Sequence, residues 1–264
     1  MILKDKKFGS RKEMLNYISE NKKTLIDAKK AEVKTKSIVG GFYSPKDGAI
    51  KDIPNKDDDF IYPVISNTGY LDHHDDVHLR GSMTKTAKEQ NHKVYYVTDH
   101  KLEVDSVIAT PKNVEIQLLT LPWTDLGRNF EGDTEAFIFK IAKEAIQHEK
   151  FLKMLEDGND LQNSIRMQYI KIGLGINNQD DKEGFAYWQK YYNQISNKEE
   201  LNERGYFFGV EELKIVMEGS AVLFGSNDAT PIKGAVEDTP KFEPSKYDTQ
   251  ISEQLNNLLT KTKL

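Results

Sequence analysis

LKIVMEGSAVLFGSN, from Leu213 to Asn227, is the stretch of sequence that decides how this chain is interpreted. It reads as a strand and carries a single carboxylate, Glu218. Two other segments also read as strands: VYYVTDH, which ends at His100, and NSIRMQYI, which contains Ser164. Each of the three segments therefore supplies one residue type that acyl-transfer chemistry needs.

Serine, histidine and a carboxylate together can form a hydrolytic triad. A serine hydroxyl is a poor nucleophile near neutral pH, so a hydrolase places a general base beside it and a third group that orients the base. Their separation along the chain is no objection, because triads occur in several chain orders on unrelated folds. The order here is histidine, serine, glutamate. Four nearby carboxylates remain alternatives for the third role: Glu211, Glu212, Asp99 and Asp105.

The residues around these positions, from about Asp75 to Ile232, resemble the tailed-bacteriophage prohead maturation proteases, which are distantly similar to the herpesvirus capsid-assembly proteases. LRGSMTKT is similar to the family's turn and following helix, and VYYVTDHK to the strand that ends in the base histidine. LEDGNDLQNSIRM is similar to the helix, glycine and nucleophile strand that follow. MEGSAVLFGSNDATPI follows the pattern E-x-S-x-V-x-x-x-x-N-x-x-A/T-x-I, with Glu218, Ser220, Val222, Asn227, Thr230 and Ile232 at the specified positions.

The resemblance implies that His100 is the base, Ser164 the nucleophile and Glu218 the orienting carboxylate of a serine endopeptidase. It implies an α+β fold in which a small β-barrel is surrounded by helices, as in the herpesvirus proteases. The implied substrates are the phage scaffold and major capsid proteins and the protease itself, and the enzyme needs no cofactor or metal. Homodimerisation is expected by analogy with the herpesvirus enzymes.

Some residues depart from the family pattern. Arg166 stands where the family has a glycine two residues after the nucleophile, and a glycine lets backbone approach a substrate closely. The arginine could instead supply positive charge to the oxyanion. The segment after His100 also lacks the family's usual glycine. These departures favour an alternative, a catalytically inactive capsid-assembly or scaffolding protein that keeps the protease-like fold.

Composition restricts the other interpretations. The chain of 264 residues has no cysteine, which excludes disulfides, thiol nucleophiles and cysteine-ligated metals. With no signal peptide and no apolar run near 18 residues, we expect no membrane partner and a location in the host cytoplasm, inside the assembling prohead. Residues 1–37 carry eleven Lys or Arg against five Asp or Glu. The segment has no recognised nucleic-acid-binding motif, so a solvated helix is favoured over nucleic-acid binding, with docking to an acidic protein surface as a third interpretation.

The predicted organisation has three parts. Residues 1–36 form a basic N-terminal helix capped by Ser10. Residues 37–232 form the catalytic domain, with a helical insertion at about 177–205 whose aromatic residues are expected to pack against the protein. Residues 233–264 form a charged, proline-containing linker and a C-terminal amphipathic helix. Within the catalytic domain, Asp133 and Thr134 are expected to cap a helix over residues 134–156 that ends at Gly158.

The run LDHHDDVH offers a rival site. Its imidazoles and carboxylates suit zinc, manganese or iron, and alternate residues of a strand would share one face. Adjacent histidines in an acidic loop are usually solvated, and no distant ligands can be identified. A metal-dependent hydrolase is therefore the third interpretation, resting on Asp72, His73, His74, Asp75, Asp76 and His78.

Overall fold

The computed structural model describes residues 6–36, 41–51, 54, 58–159 and 161–223, all within one compact unit, Met1–Thr230. These residues form six α-helices and twelve strands. The helices are α1 (Arg11–Glu20), α2 (Lys22–Ala31), α3 (Thr84–Gln90), α4 (Glu149–Glu156), α5 (Lys182–Tyr192) and α6 (Lys198–Arg204). The strands are β1 (Val33–Lys36), β2 (Phe42–Ser44), β3 (Ala49–Lys51), β4 (Phe60–Ile61), β5 (Val64–Asn67), β6 (Asp76–His78), β7 (Tyr95–Thr98), β8 (Val107–Ala109), β9 (Glu115–Pro122), β10 (Asp133–Ala142), β11 (Gln162–Ile176) and β12 (Tyr206–Val222).

The strands form three sheets, and the largest is curled into a half-barrel. Its order is β1-β11-β12-β7-β8, and β6 pairs with the beginning of β12. The second sheet has the order β4-β10-β5 with β9 on β10, and β2 and β3 form a hairpin. The predicted α+β class is confirmed at this level, because helices cover parts of a mainly antiparallel set of sheets.

The predicted helix over residues 134–156 is wrong for most of its length. Residues 133–142 form β10, and only the last eight residues of the predicted segment form a helix, α4. Phe137 and Phe139 enter the main hydrophobic core, whereas Ala136 and Ile138 enter a second apolar cluster. A strand that is buried on both faces presents a continuous apolar run, which hydrophobic periodicity cannot distinguish from a buried helix.

The N-terminal arm, residues 6–36, is two helices and a strand rather than the single predicted helix. Ser10 caps α1 as predicted, because its hydroxyl accepts a hydrogen bond from the Glu13 amide. Asn21 interrupts the helix, and the chain continues as α2 and β1. Leu15, Ile18 and Leu25 are buried in the main core. The arm is therefore packed on the rest of the protein.

Part of the arm's positive charge is paired within the chain. Lys22 lies 3.0 Å from an Asp181 carboxylate oxygen and 2.9 Å from one of Glu183. Lys29 forms an ion pair with the buried Asp76. A count of charges along the sequence does not reveal such internal partners, and these pairs reduce the positive charge that the arm offers to an external ligand.

The segment predicted to be a helical insertion, about 177–205, contains α5 and α6. Trp188 and Tyr191 of α5 and Leu201 of α6 are buried against Leu79 and Phe207. The aromatic residues of this segment thus form a packing face on the large sheet.

Several predicted features lie outside the described residues. These are the linker, the C-terminal helix and the motif positions Asn227, Thr230 and Ile232. In the part of the chain that is described, no helix is long and apolar enough to cross a membrane.

Gly219 is required where β12 crosses the core. A Cβ atom at this position would lie 2.6 Å from Cε2 of Phe139 and 3.1 Å from Cγ2 of Ile65. Gly219→Ala is expected to lower the free energy of unfolding by about 1–3 kcal/mol, because the closely packed core must shift to admit a methyl group. Urea denaturation of the variant and the wild type measures this change, and an unchanged midpoint and slope would show that the core does not restrict this position.

Candidate active site

Three neighbouring strands of the half-barrel bring the candidate residues together. Ser164 lies near the beginning of β11, opposite Ser220 of β12 in the antiparallel register. Glu218 lies two residues earlier on β12, at the point where β12 begins to pair with β7. His100 follows the end of β7 by two residues. The sheet order β11-β12-β7 therefore places serine, glutamate and histidine on adjacent strands.

The three side chains form one hydrogen-bonded chain. His100 Nε2 lies 2.8 Å from Ser164 Oγ, and His100 Nδ1 lies 2.9 Å from Glu218 Oε1. An ionised carboxylate can only accept hydrogen bonds, so the neutral imidazole carries its proton on Nδ1 and accepts the serine proton on Nε2. This arrangement meets the geometric requirement for a nucleophile, a general base and an orienting acid.

Exposure differs along the hydrogen-bonded chain. The His100 side chain is 20% exposed, whereas that of Glu218 is fully buried. The described residues provide no hydrogen-bond partner for Glu218 Oε2. A buried carboxylate with one unpaired oxygen is costly for the folded state, and a positive imidazolium beside it lowers that cost. The buried Glu218 carboxylate therefore meets the half-buried His100 ring through a single hydrogen bond at Nδ1.

An irregularity in β12 positions Glu218. Ile215 pairs with Met167 and Gly219 pairs with Ile165, so three residues of β12 lie opposite Arg166 alone. Met217 within this bulge has φ of 67°, which a side-chain-bearing residue seldom adopts, and it is 54% exposed. Bulges are frequent beside active sites because they redirect side chains. Here the neighbouring residue, Glu218, is buried.

A tight turn positions His100. Asp99 and His100 have φ of 51° and 57°, and the Lys101 amide donates to the Thr98 carbonyl at 3.0 Å. These features define a type I′ turn, which usually takes asparagine and glycine. The Ser220 hydroxyl accepts a hydrogen bond from the His100 amide at 2.9 Å, and the Asp99 amide donates to the Ala221 carbonyl. These bonds to β12 fix the turn that carries His100.

Ser220 is a residue of the candidate site whose role was not predicted from the sequence. It is one of the specified positions of the matched motif, but only the structure gives its contact with the His100 backbone. Its hydroxyl also lies 3.2 Å from the Val97 carbonyl, to which it can donate, and the residue is fully buried. Ser220 therefore positions the His100 backbone, and Glu218, two residues earlier on the same strand, orients the His100 imidazole.

Ser220→Ala is expected to lower kcat about 10- to 100-fold, because the His100 turn loses its attachment and a small displacement of the base has a large effect on rate. KM is expected to change little. The readout specific to positioning is a double variant: Ser220→Ala added to His100→Ala should cause no further loss of activity, because the serine acts through the histidine. Equal losses in both backgrounds would assign Ser220 a purely structural role.

The alternative carboxylates for the third role lie elsewhere. Glu211 forms an ion pair with Lys171, and Glu212 forms one with Lys85. Asp99 and Asp105 are exposed side chains. Of the five carboxylates considered from the sequence, Glu218 is the one hydrogen-bonded to His100.

The residues near Ser164 on β11 also have defined partners, through the side chain of Asn163 and the backbone of Arg166. Asn163 accepts a hydrogen bond from the Tyr96 hydroxyl at 2.6 Å and donates to the Gly41 carbonyl at 2.8 Å, and it is fully buried. Burial raises the pKa of Tyr96 well above its usual value, so the phenol keeps the proton that it donates. On the other side of Ser164, Arg166 is half-buried and pairs through its backbone register with Thr35 of β1.

The acidic side chains in the histidine-rich run before α3 make hydrogen bonds and an ion pair that stabilise the fold. Asp72 accepts hydrogen bonds from the backbone amides of His74 and Asp76 at 2.8 and 2.9 Å. Asp76 pairs with Lys29 and accepts from the Tyr169 hydroxyl, and Asp75 accepts from the Tyr206 hydroxyl. Among the described residues, no group of three or more His, Asp or Glu side chains is placed to hold a metal ion.

Comparison with known proteins gave no relatives: no family model matches the chain, and neither the curated proteins nor the solved structures include a significant match.

Proposed function

We propose that this protein is a serine endopeptidase of the prohead-maturation type. The observation that carries the proposal is the continuous hydrogen-bonded chain from Ser164 through His100 to the buried Glu218. Three residues chosen from separate motifs, 64 and 118 positions apart from His100, meet at hydrogen-bonding distances. The curled half-barrel sheet is compatible with a herpesvirus-protease-like barrel, the finer fold that the motif resemblance implies.

The geometry supports the following mechanism. His100 Nε2 takes the proton of Ser164 Oγ as the oxygen attacks the scissile carbonyl. Glu218 stabilises the imidazolium and keeps the proton on Nδ1. His100 then donates the Nε2 proton to the leaving amine, and the acyl group remains on Ser164. Water deprotonated by His100 attacks this ester, releases the acid product and restores the serine.

The proposed substrates are viral structural proteins: the scaffold, the scaffolding segment of the major capsid protein, and the protease itself. This assignment rests on the ordered motif resemblance between Asp75 and Ile232. It implies that the enzyme acts within an assembling prohead in the host cytoplasm, and that it needs no cofactor.

A second candidate function is that of a capsid-assembly or scaffolding protein without catalytic activity. The observation that favours it is Arg166, which replaces the glycine expected two residues after the nucleophile. A side chain at this position restricts the approach of a substrate backbone to the oxyanion site. This protein would bind the capsid or scaffold proteins without cutting them.

Intact-mass analysis distinguishes the two functions. The wild type and Ser164→Ala are incubated alone and with phage capsid and scaffold proteins, the proposed substrates. If the protein is a protease, fragments are expected in the wild-type samples and not in the Ser164→Ala samples. The masses of the fragments locate the cleavage sites. Intact partners that co-purify with the wild type would instead favour the scaffolding function.

A further inference from the structure

The nucleophile strand has two edges, and the chain occupies both. On one side, β11 pairs with β12 along its whole length, with Ser164 opposite Ser220. On the other side, β1 is antiparallel to β11, from Val33 opposite Gln168 to Lys36 opposite Ile165. β1 thus covers the edge of the nucleophile strand from the residue directly after Ser164.

A polypeptide substrate would need that same edge. Proteins commonly bind an extended peptide by adding it as a strand to an exposed sheet edge, where main-chain hydrogen bonds hold it. Since β12 closes one edge of β11 beside Ser164, the other edge is the place for such a strand. Neighbouring strands lie about 4.8 Å apart, so a peptide added outside β1 would lie about 10 Å from β11. Attack requires reacting atoms about 3–3.5 Å apart.

We infer that β1 is an internal competitor of the substrate: it occupies the edge of β11 on which a polypeptide must pair before Ser164 can attack it. This inference rests on the proposed endopeptidase function and adds a mechanism that regulates its activity. The protein cleaves polypeptides when β1 leaves the edge and is held back when β1 is paired. Ser164 is 3% exposed with β1 in place, in keeping with an edge that is closed.

The packing of the arm allows β1 to leave without its helices. Val33 is 49% exposed and Thr35 is also exposed, so β1 buries little apolar surface. Among the β1 side chains that the structure describes, Lys34 is the charged one: its Nζ lies 3.7 Å from an Asp76 carboxylate oxygen and 5.2 Å from the centre of the Tyr169 ring. In contrast, α1 and α2 bury Leu15, Ile18 and Leu25. Segments with few buried apolar contacts open most easily.

A reversible cross-link tests this inference directly. Because the chain has no cysteine, the double variant Val33→Cys with Gln168→Cys contains a single possible disulfide. The two residues are opposite in the register of β1 and β11, where Cα atoms lie within disulfide range. Gln168 lies four residues after Ser164 and Val33 lies on the neighbouring strand, so neither substitution changes Ser164, His100 or Glu218. Each single-cysteine variant is the matched control for substitution and for reductant.

The measurement is cleavage of phage capsid and scaffold proteins, and of fluorescein-labelled casein, by the oxidised and reduced double variant. We expect the oxidised form to cleave at least about tenfold more slowly than the reduced form, and reductant to restore the rate. Both single variants should cleave like the wild type in either condition. Equal rates in the two forms, or a faster oxidised form, would overturn the inference and make β1 a permanent part of the substrate site.

Failure of the proposed function is distinguishable from failure of this inference. A fluorophosphonate, which reacts covalently with activated serines, is applied to the reduced double variant and to the wild type. Labelling of Ser164 together with equal cleavage in both redox forms overturns only the role of β1. Absence of both labelling and cleavage in every form contradicts the endopeptidase and the inference together.

Discussion

Ser164→Ala is expected to abolish cleavage, with a fall in kcat on the order of 10⁶-fold, as found when the nucleophile of an unrelated triad is removed. The substitution deletes the attacking oxygen and leaves β11 intact. It also removes the hydrogen bond to His100, so the free energy of unfolding should fall by only about 1 kcal/mol. Single-turnover cleavage assays and urea denaturation measure the two effects on the same protein.

The chain provides a matched control for this variant. Ser66 is also a buried serine whose hydroxyl faces a histidine, at 3.2 Å from His78 Nδ1. Ser66→Ala should have a similar effect on stability and no effect on turnover. Cleavage retained by Ser164→Ala would refute its assignment as the nucleophile, whatever the stability of the variant.

Glu218→Gln is expected to lower kcat on the order of 10⁴-fold, the loss seen when the acid of another triad becomes an amide. The glutamine amide can donate to Nδ1, which places the imidazole proton on the wrong nitrogen. The free energy of unfolding should rise or stay unchanged, because the variant removes a buried charge with an unpaired oxygen. A loss of activity without a loss of stability is typical of groups retained for function.

The control for this variant is Glu212→Gln on the same strand. Glu212 is partly exposed and pairs with Lys85, so its substitution should change neither rate nor unfolding by much. If Glu218→Gln cleaves at the wild-type rate, the orienting role belongs to another group.

The sequence identified three side chains that the fold brings together, although it did not predict all of the elements that carry them. His100, Ser164 and Glu218 were chosen from motif order, and the side chains meet at hydrogen-bonding distances. The motif also contained Ser220, but a sequence pattern does not show which backbone amide a hydroxyl accepts from. The positive φ at Met217 was not predictable, because methionine seldom adopts such backbone.

Two larger errors have a common cause. A helix over residues 134–156 was expected from the capping signals at Asp133, Thr134 and Gly158, but residues 133–142 form a strand buried between two clusters. The basic residues of the N-terminal arm were expected to lie on a solvated helix, and several pair with carboxylates distant in sequence, including Asp76 and Asp181. In both cases long-range packing decides the outcome, and local patterns do not contain it.

The most direct test of the central claim is covalent labelling of the purified protein with a fluorophosphonate, followed by peptide mass mapping. A serine activated by a neighbouring histidine should react, so we expect one adduct, on Ser164, and its loss in His100→Ala, which keeps the serine but lacks the base. An adduct on another residue, or equal labelling of Ser164 with and without His100, would contradict the account.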